Sequence, residues 1–319
     1  LSNPKVVALG GGHGLAATLS ALRKITNELT AIVTVADNGG SSGRLRKEFN
    51  SLPPGDLRMA LAALCADDEW GRSWAEIMQY RFTSKGELNG HALGNLLLTA
   101  LWDSESDPVK GLDKVGALLK VVGRVLPMAL EPLDIEGTFK TWQGTHLIRG
   151  QQEVALGRGI LEDLRLIPDD PTPTSQGVDA IAKADFITLG PGSWFSSVLP
   201  HLLVTKQRQV LESSRAKKVI ILNLDASPSA SGDELAGSSP ADHLRILRRF
   251  APDLNCDVAL LDSSIAARSE LLIELEGLVE AMGGRVFVAD LASHPGSNHH
   301  DTEKLFLTLS HIFQAEMLR

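Results

Sequence analysis

The sequence predicts an α/β protein of Rossmann-like design, with a mostly parallel sheet, helices on both faces and a β-rich insertion around 125–167. Three observations lead there. Residues 6–9, 30–35 and 185–189 are almost wholly apolar, as strands buried on both faces are. The strands at 6–9 and 30–35 each run into a loop of small residues, and Leu15, Leu19 and Leu22 then recur at helical spacing. Between 125 and 167 short apolar and polar pieces alternate instead, as in antiparallel strands.

In chain order, a strand at 6–9 leads through glycines 10–14 into a helix at 15–24, and a strand at 30–35 leads into a second small-residue loop at 36–43. A third loop, 52–56, opens a helix at 57–65, and helices also fit 74–80, 91–101 and 111–120. Antiparallel strands fit 138–142 and 146–149. The parallel pattern resumes with a strand at 185–189, a loop at 190–193, a helix from 196 to 203 and a strand at 218–224. A long Ser-, Gly- and Ala-rich loop, 225–240, offers little to bury and could carry regulatory phosphorylation. A helix at 241–250, a strand at 257–261, a helix at 270–282, a strand at 285–290 and a closing helix at 301–318 complete one domain spanning 1–319.

Composition narrows the function. The chain has 319 residues, 43% of them hydrophobic, enough for a large core. A net charge of −8 supplies no basic footprint for nucleic acid. Only 5% of the residues are aromatic, which weakens any base-stacking or carbohydrate platform. Two cysteines, Cys65 and Cys256, exclude a disulfide scaffold and suit a reducing compartment. No apolar run is long enough for a membrane span, and no leader pattern opens the chain.

The loops carry the chemistry. In an open parallel sheet, ligands bind outside the carboxyl ends of the strands. Glycines there let the backbone approach phosphate oxygens, and helix N-termini offer free N–H groups. A nucleotide or phosphorylated ligand is therefore expected at Gly10, Gly11, Gly12, His13 and Gly14, at Asn38, Gly39, Gly40, Ser41, Ser42 and Arg44, and at Gly190, Gly192 and Ser193. Asp37 and Asp56 are the candidate metal ligands, since Mg²⁺ takes one or two carboxylates together with substrate phosphates. Their bland alternatives are an Asx-turn for Asp37 and an N-cap of the helix starting at Leu57 for Asp56. His91 and Asn95, at i and i+4, would share a helix face. Residues 12–17 also fit the weak G-x-G-x-x-A dinucleotide pattern. His299, His300 and Asp301 read as a helix start rather than a metal site, and Trp194 and Phe195 as core at least as readily as a ring cover.

Taken together in this order, Gly10–Gly14, the run from Ala31 through Asp37 to Arg46, Pro53–Arg58, Gln79–Phe82, Gly90–Asn95 and Gly190–Ser193 closely resemble the YvcK family of bacterial gluconeogenesis factors. That family sits within the CofD-like 2-phospho-L-lactate transferase superfamily. The resemblance implies a Rossmann-like fold and a cytoplasmic protein serving cell shape and growth on gluconeogenic carbon. It also implies UDP-sugar binding, UDP-N-acetylglucosamine especially, and a link to cell-wall synthesis proteins. The related transferases join a phospholactyl-type nucleotide to a deazaflavin with a divalent metal, and there the acids matching Asp37 and Asp56 are metal or substrate contacts. Arg58 falls in the same matched segment. Here His13 stands where the family usually has Thr, and Asn38 where a second Asp is common. The sequence therefore favours a nucleotide-sugar-binding regulator, with a metal-dependent transferase as the alternative. A homodimer is the default assembly.

Overall fold

The parallel strands assemble around a single reversal of strand order. A computed structural model describes residues 3–105, 107–224 and 239–318. Strands β1 (Val6–Gly10), β2 (Leu29–Val33) and β3 (Arg124–Pro127) run outward on one side of β1. On the other side lie β7 (Phe186–Leu189), β8 (Lys217–Ile221), β9 (Val258–Asp262) and β10 (Arg285–Ala289). All seven strands are parallel, in the order β10-β9-β8-β7-β1-β2-β3. β1, β7, β8 and β9 are buried along nearly their full length, which accounts for their unbroken apolar runs.

Connections that leave β1 in opposite directions along the sheet place the helices on both faces. Helices α1 (Gly12–Leu22), α3 (Pro54–Leu64) and the closing α14 (Thr302–Met317) pack together on one face. On the other, α8 (Ser175–Ala182) packs with α10 (Thr205–Ser213). Phe186 of β7 stacks on Phe313 of α14 with ring centroids 4.0 Å apart, a contact worth about 1 kcal/mol beyond the area it buries. Among the described residues no helix is long and apolar enough to cross a membrane.

The β-rich insertion is present with a different boundary. Residues 125–127 do not belong to it, because β3 pairs with β2 at the edge of the parallel sheet. The insertion proper is an antiparallel sheet of β4 (Asp134–Thr141), β5 (Gly144–Arg149) and β6 (Ile160–Ile167), in the order β5-β4-β6, with a short helix α7 (Gln151–Ala155). Fully buried Phe139 anchors it, edge-on against Phe195 at 5.9 Å. Arg46 and Arg149 both pair with Asp134, which ties it to the helix α2 (Gly40–Phe49).

Other differences from the expected elements are local. Residues 40–43, expected in a loop, form the first turn of α2. The helix expected at 57–65 begins earlier, with Pro54 at its first position, where a missing N–H costs nothing. The helix expected from 91 is α5 (Leu93–Ser104), so His91 precedes it. The stretch from 196 to 203 begins as a π-helical turn, Trp194–Val198, and continues as α9 (Pro200–Leu203). The remaining helices are α4 (Glu69–Gln79), α6 (Pro108–Leu119), α11 (Pro240–Phe250), α12 (Ser263–Ala266) and α13 (Ser269–Glu280). Of the loop at 225–240, residues 225–238 lie outside the described residues.

Candidate functional site

The strand order reverses between β1 and β7, and the loops that follow these two strands meet there. Gly14 sits so close to the 190–193 loop that an added Cβ would stand 2.3 Å from the Pro191 carbonyl oxygen. Asn223, two residues past the end of β8, clasps the same loop, accepting from the Gly192 N–H at 3.0 Å and donating to its carbonyl at 2.9 Å. Beneath it, the Gln207 amide donates to Nδ1 and to the carbonyl of His201, at 3.0 Å each. That leaves His201 Nε2 to donate to the Gly10 carbonyl at 3.2 Å. Burial pulls the His201 pKa down to about 4, so the ring is a neutral strut under the first glycine loop. Asn223 and His201 had no motif to announce them in the sequence.

Each early loop then opens into a helix that lacks a side-chain cap. Gly11 precedes α1, Gly39 precedes α2 and Pro53 precedes α3, and none caps its helix with a side chain. Gly12 and Gly40, the first residues of α1 and α2, have φ of +61° and +48°, with open space where a Cβ would point. Glycine holds that conformation without strain and leaves the adjoining N–H groups approachable. His13 is exposed in the first turn of α1.

Asp37 and Asp56 come together. A Cβ on Gly55 would stand 3.0 Å from Asp37 Oδ2, and one on Gly11 would stand 2.6 Å from Asp56 Oδ2. Asp37 makes the Asx-turn, its Oδ1 accepting from the Gly39 N–H at 2.9 Å. Asp56 is not an N-cap, because it lies inside the first turn of α3 and is buried. Its Oδ2 is buried with no hydrogen-bond partner. Burial, with the charge of Asp37 behind it, pushes the Asp56 carboxyl up to about 7, while the Gly12 N–H and the Arg58 charge act the other way. Asn38 donates to Glu153 of α7 at 3.3 Å, so the insertion reaches this loop as well. No cluster of three or more His, Cys, Asp or Glu able to hold a metal occurs among the described residues.

His91 and Asn95 are brought together, though not by a shared helix face. Both meet Ser41 of α2, with Ser41 Oγ 2.9 Å from His91 Nδ1 and Asn95 Nδ2 donating to it at 3.0 Å. Arg58 Nε donates to Asn95 Oδ1 at 2.8 Å, which fixes the amide's orientation. Ser42 accepts from the Gly55 N–H at 3.0 Å, locking the start of α2 to that of α3. Arg44 points elsewhere, donating to the carbonyls of Glu87 and Asn89. Ser193 accepts from the Ser196 N–H at 3.2 Å and so caps the π-helical turn, while Trp194 and Phe195 are core. Gly190 and Gly192 take φ of +77° and +143° in that loop. At the far end of the chain, Asp301 caps α14, as its sequence context suggests.

Known proteins share this arrangement of loops and strands. The family model described as 2-phospho-L-lactate transferase CofD matches residues 6–286. A Mycobacterium leprae (strain TN) protein named "Putative gluconeogenesis factor" is 45% identical over 315 residues, covering 98% of this chain and 86% of its own. The protein of Listeria monocytogenes named "Gluconeogenesis factor" is 32% identical over 312 residues, covering 95% and 94%. A crystal structure of a UPF0052 family member from Bacillus halodurans superposes with a TM-score of 0.83 at 31% identity, over 98% of this chain and 99% of that one.

Proposed function

The chain belongs to the CofD family, and from that premise we propose that it binds a nucleotide sugar of the UDP-sugar class and acts as a regulator, a gluconeogenesis factor supporting cell-wall synthesis and cell shape on gluconeogenic carbon. One observation carries this reading. The start of α3 offers little, since Pro54 has no N–H and the Gly55 N–H donates to Ser42, but two helix starts without side-chain caps, behind Gly11 and Gly39, open beside the strand-order reversal. Their free N–H groups and helix dipoles suit a diphosphate. The residues proposed to contact the ligand are Gly11, Gly12, His13 and Gly14, Gly39 and Gly40, and Gly192. Ser41, Ser42, Asn95 and His91 brace the start of α2. In this reading the protein works in the cytoplasm, as a homodimer, and signals to partner proteins of cell-wall synthesis.

A second reading rests on the acids. Asp56 keeps a buried, unpartnered carboxylate oxygen and feels the charge of Asp37, a pair that suits Mg²⁺ bound together with ligand phosphates. Asp37 and Asp56 would hold the ion, which would stabilise a departing phosphate in a CofD-like transfer of a phospholactyl-type group from a nucleotide to a deazaflavin. The protein's own part would be to orient the nucleotide on the N–H groups of α1 and α2 and to keep Asp56 ready to lose its proton.

Thermal unfolding with added ligands tests both. UDP-N-acetylglucosamine at about 100 times its Kd should stabilise the fold by roughly 2.7 kcal/mol, a rise of at least a couple of degrees. No response to any UDP-sugar rejects the first reading. A response to GDP or GTP only with Mg²⁺, lost in Asp37→Ala, favours the second.

A further inference from the structure

The main sheet ends on two unlike edges. At β3 the outer edge is guarded. The Met128 N–H donates to the Val33 carbonyl, so Pro127 just before it faces away from β2. Pro127 has no N–H to offer there, and its carbonyl accepts from the Thr174 hydroxyl. At β10 nothing comparable occurs. Among the described residues this strand pairs only with β9, in an unbroken register, and all five of its residues are partly exposed, Val288 to 42%. The edge strands of the insertion carry charge, with Arg149 in β5 and Glu162, Asp163 and Arg165 in β6. β10 presents only Val286, Phe287, Val288 and Ala289 after Arg285. A free, apolar, proline-free edge is a template for another strand.

The groups left open on β10 complement themselves. The Arg285 N–H donates to the Asp257 carbonyl at 3.1 Å, toward β9. Backbone groups alternate sides along a strand, so those of Phe287 and Ala289 also face β9, and those of Val286 and Val288 face outward. Arg285 pairs with Glu316 at 2.6 Å and the Phe287 ring lies 5.7 Å from that of His311, both on α14. Val286 and Val288 therefore take the opposite face of the sheet. An antiparallel second copy with Phe287 opposite Phe287 uses every outward group. Val286 meets Val288 of the second copy at both ends, each pair exchanging both N–H···O bonds. Phe287 then forms the non-hydrogen-bonded pair on the axis, with about 4.5 Å between the two Cα atoms. The charges agree as well. Arg285 opens the strand and Asp290 follows it, and Asp290 also reaches α14, through Lys304 at 2.8 Å. Antiparallel pairing brings Arg285 beside Asp290 of the second copy, whereas a parallel copy would set like charges side by side.

We propose that β10 is the contact between two copies of this chain, paired antiparallel across a two-fold axis at Phe287 and joining their main sheets into one. The contact uses the same patch on both copies, so it closes at a dimer. The two loop edges then point in opposite directions and stay open. The inference rests on the homodimer of the functional reading, for which it supplies the surface, and not on the ligand.

Size-exclusion chromatography with light scattering on the full chain tests it. The natural chain should run at about twice the 34.2 kDa of one copy. Val288→Pro removes an outward N–H, and Val288→Lys places a charge on the edge; each should give the mass of one copy with an unchanged circular dichroism spectrum. Leu147→Lys, at a position 63% exposed on β5, should remain a dimer. Phe287→Cys should form a disulfide-linked dimer on mild oxidation that dithiothreitol reverses, while the natural chain, whose Cys65 and Cys256 are buried, should not. If Val288→Pro does not fold, Val288→Lys and Phe287→Cys decide. A monomeric natural chain, a dimer that survives Val288→Lys, or no cross-link in Phe287→Cys overturns the proposal. A monomeric chain still stabilised by a UDP-sugar would overturn this inference alone and leave the ligand reading standing.

Discussion

Two sets of helix starts behave differently. Away from the loop edge, α4, α6, α11, α12 and α14 begin at Asp68, Asp107, Ser239, Asp262 and Asp301, and each of these side chains accepts from a free N–H of its own helix. At the loop edge, α1, α2, α3 and α5 begin behind Gly11, Gly39, Pro53 and Ala92, with no such bond. Omitting a cap costs roughly 1 kcal/mol. α8, α10 and α13 omit it too, so a missing cap alone does not mark a site. Arg23 Nε and Glu212 Oε1 are buried and unpartnered elsewhere, but the loop edge joins its open helix starts to two such charged groups only two residues apart on α3, the Asp56 carboxylate and the Arg58 guanidinium. Stability forgone at one place on several counts is the expected signature of a binding site.

The sharpest way to break this contrast is to remove the buried acid. Asp56 holds its proton up to about pH 7 in the folded chain, against 3.8 when unperturbed. Folding therefore takes up a proton between those values. The stability it contributes is complete below 3.8, falls as the pH rises to about 7, and is flat above; the loss is on the order of 4 kcal/mol. Asp56→Asn does not titrate. Urea unfolding should find the two chains alike near pH 4 and Asp56→Asn the more stable at pH 8. Parallel pH profiles would show that Asp56 is not strained.

Glycine substitutions give the next largest effect. Gly14→Ala should lose roughly 2–3 kcal/mol, because its Cβ would collide with the Pro191 carbonyl. Gly277 lies inside α13 with open space at its Cβ position, so Gly277→Ala should gain up to about 1 kcal/mol. Equal effects in denaturant titration would remove the claim that the 10–14 and 190–193 loops are locked together.

A matched pair at two helix starts gives the smallest stability effect. Gly12→Ala forces a side chain into a positive φ, and Asp68→Ala deletes a cap; each should cost about 1 kcal/mol. Only Gly12→Ala should also weaken nucleotide binding, as read by thermal shift. Equal loss of binding in both would mean that stability, not the site, controls affinity.

Much of this was legible beforehand because it is written locally. Continuous apolar runs mark β1, β2 and β7, and the glycines after β1 and β7 fall at the strand-order reversal. The start of α2 was hidden because Gly-Gly-Ser-Ser-Gly has poor helix propensity, and burial of Ser41 and Ser42 overrides it. β3 looked like part of the insertion because only pairing with β2, about ninety residues earlier, assigns it to the main sheet. His91 looked helical, yet Gly90 at φ +76° and the Arg81–Ala92 bridge turn the chain before α5 begins. The His201 strut and the Arg58–Asn95–Ser41 chain join residues far apart in sequence, which no spacing rule reveals.

The central claim is that the open N–H groups at the loop edge hold the ligand. Amide hydrogen exchange with and without UDP-N-acetylglucosamine tests it most directly. Exchange should slow at residues 13–14 and 40–42 and stay unchanged at the capped starts near 69–71, 109–110 and 302–304. Protection absent from the first group, or equal in both, would contradict it.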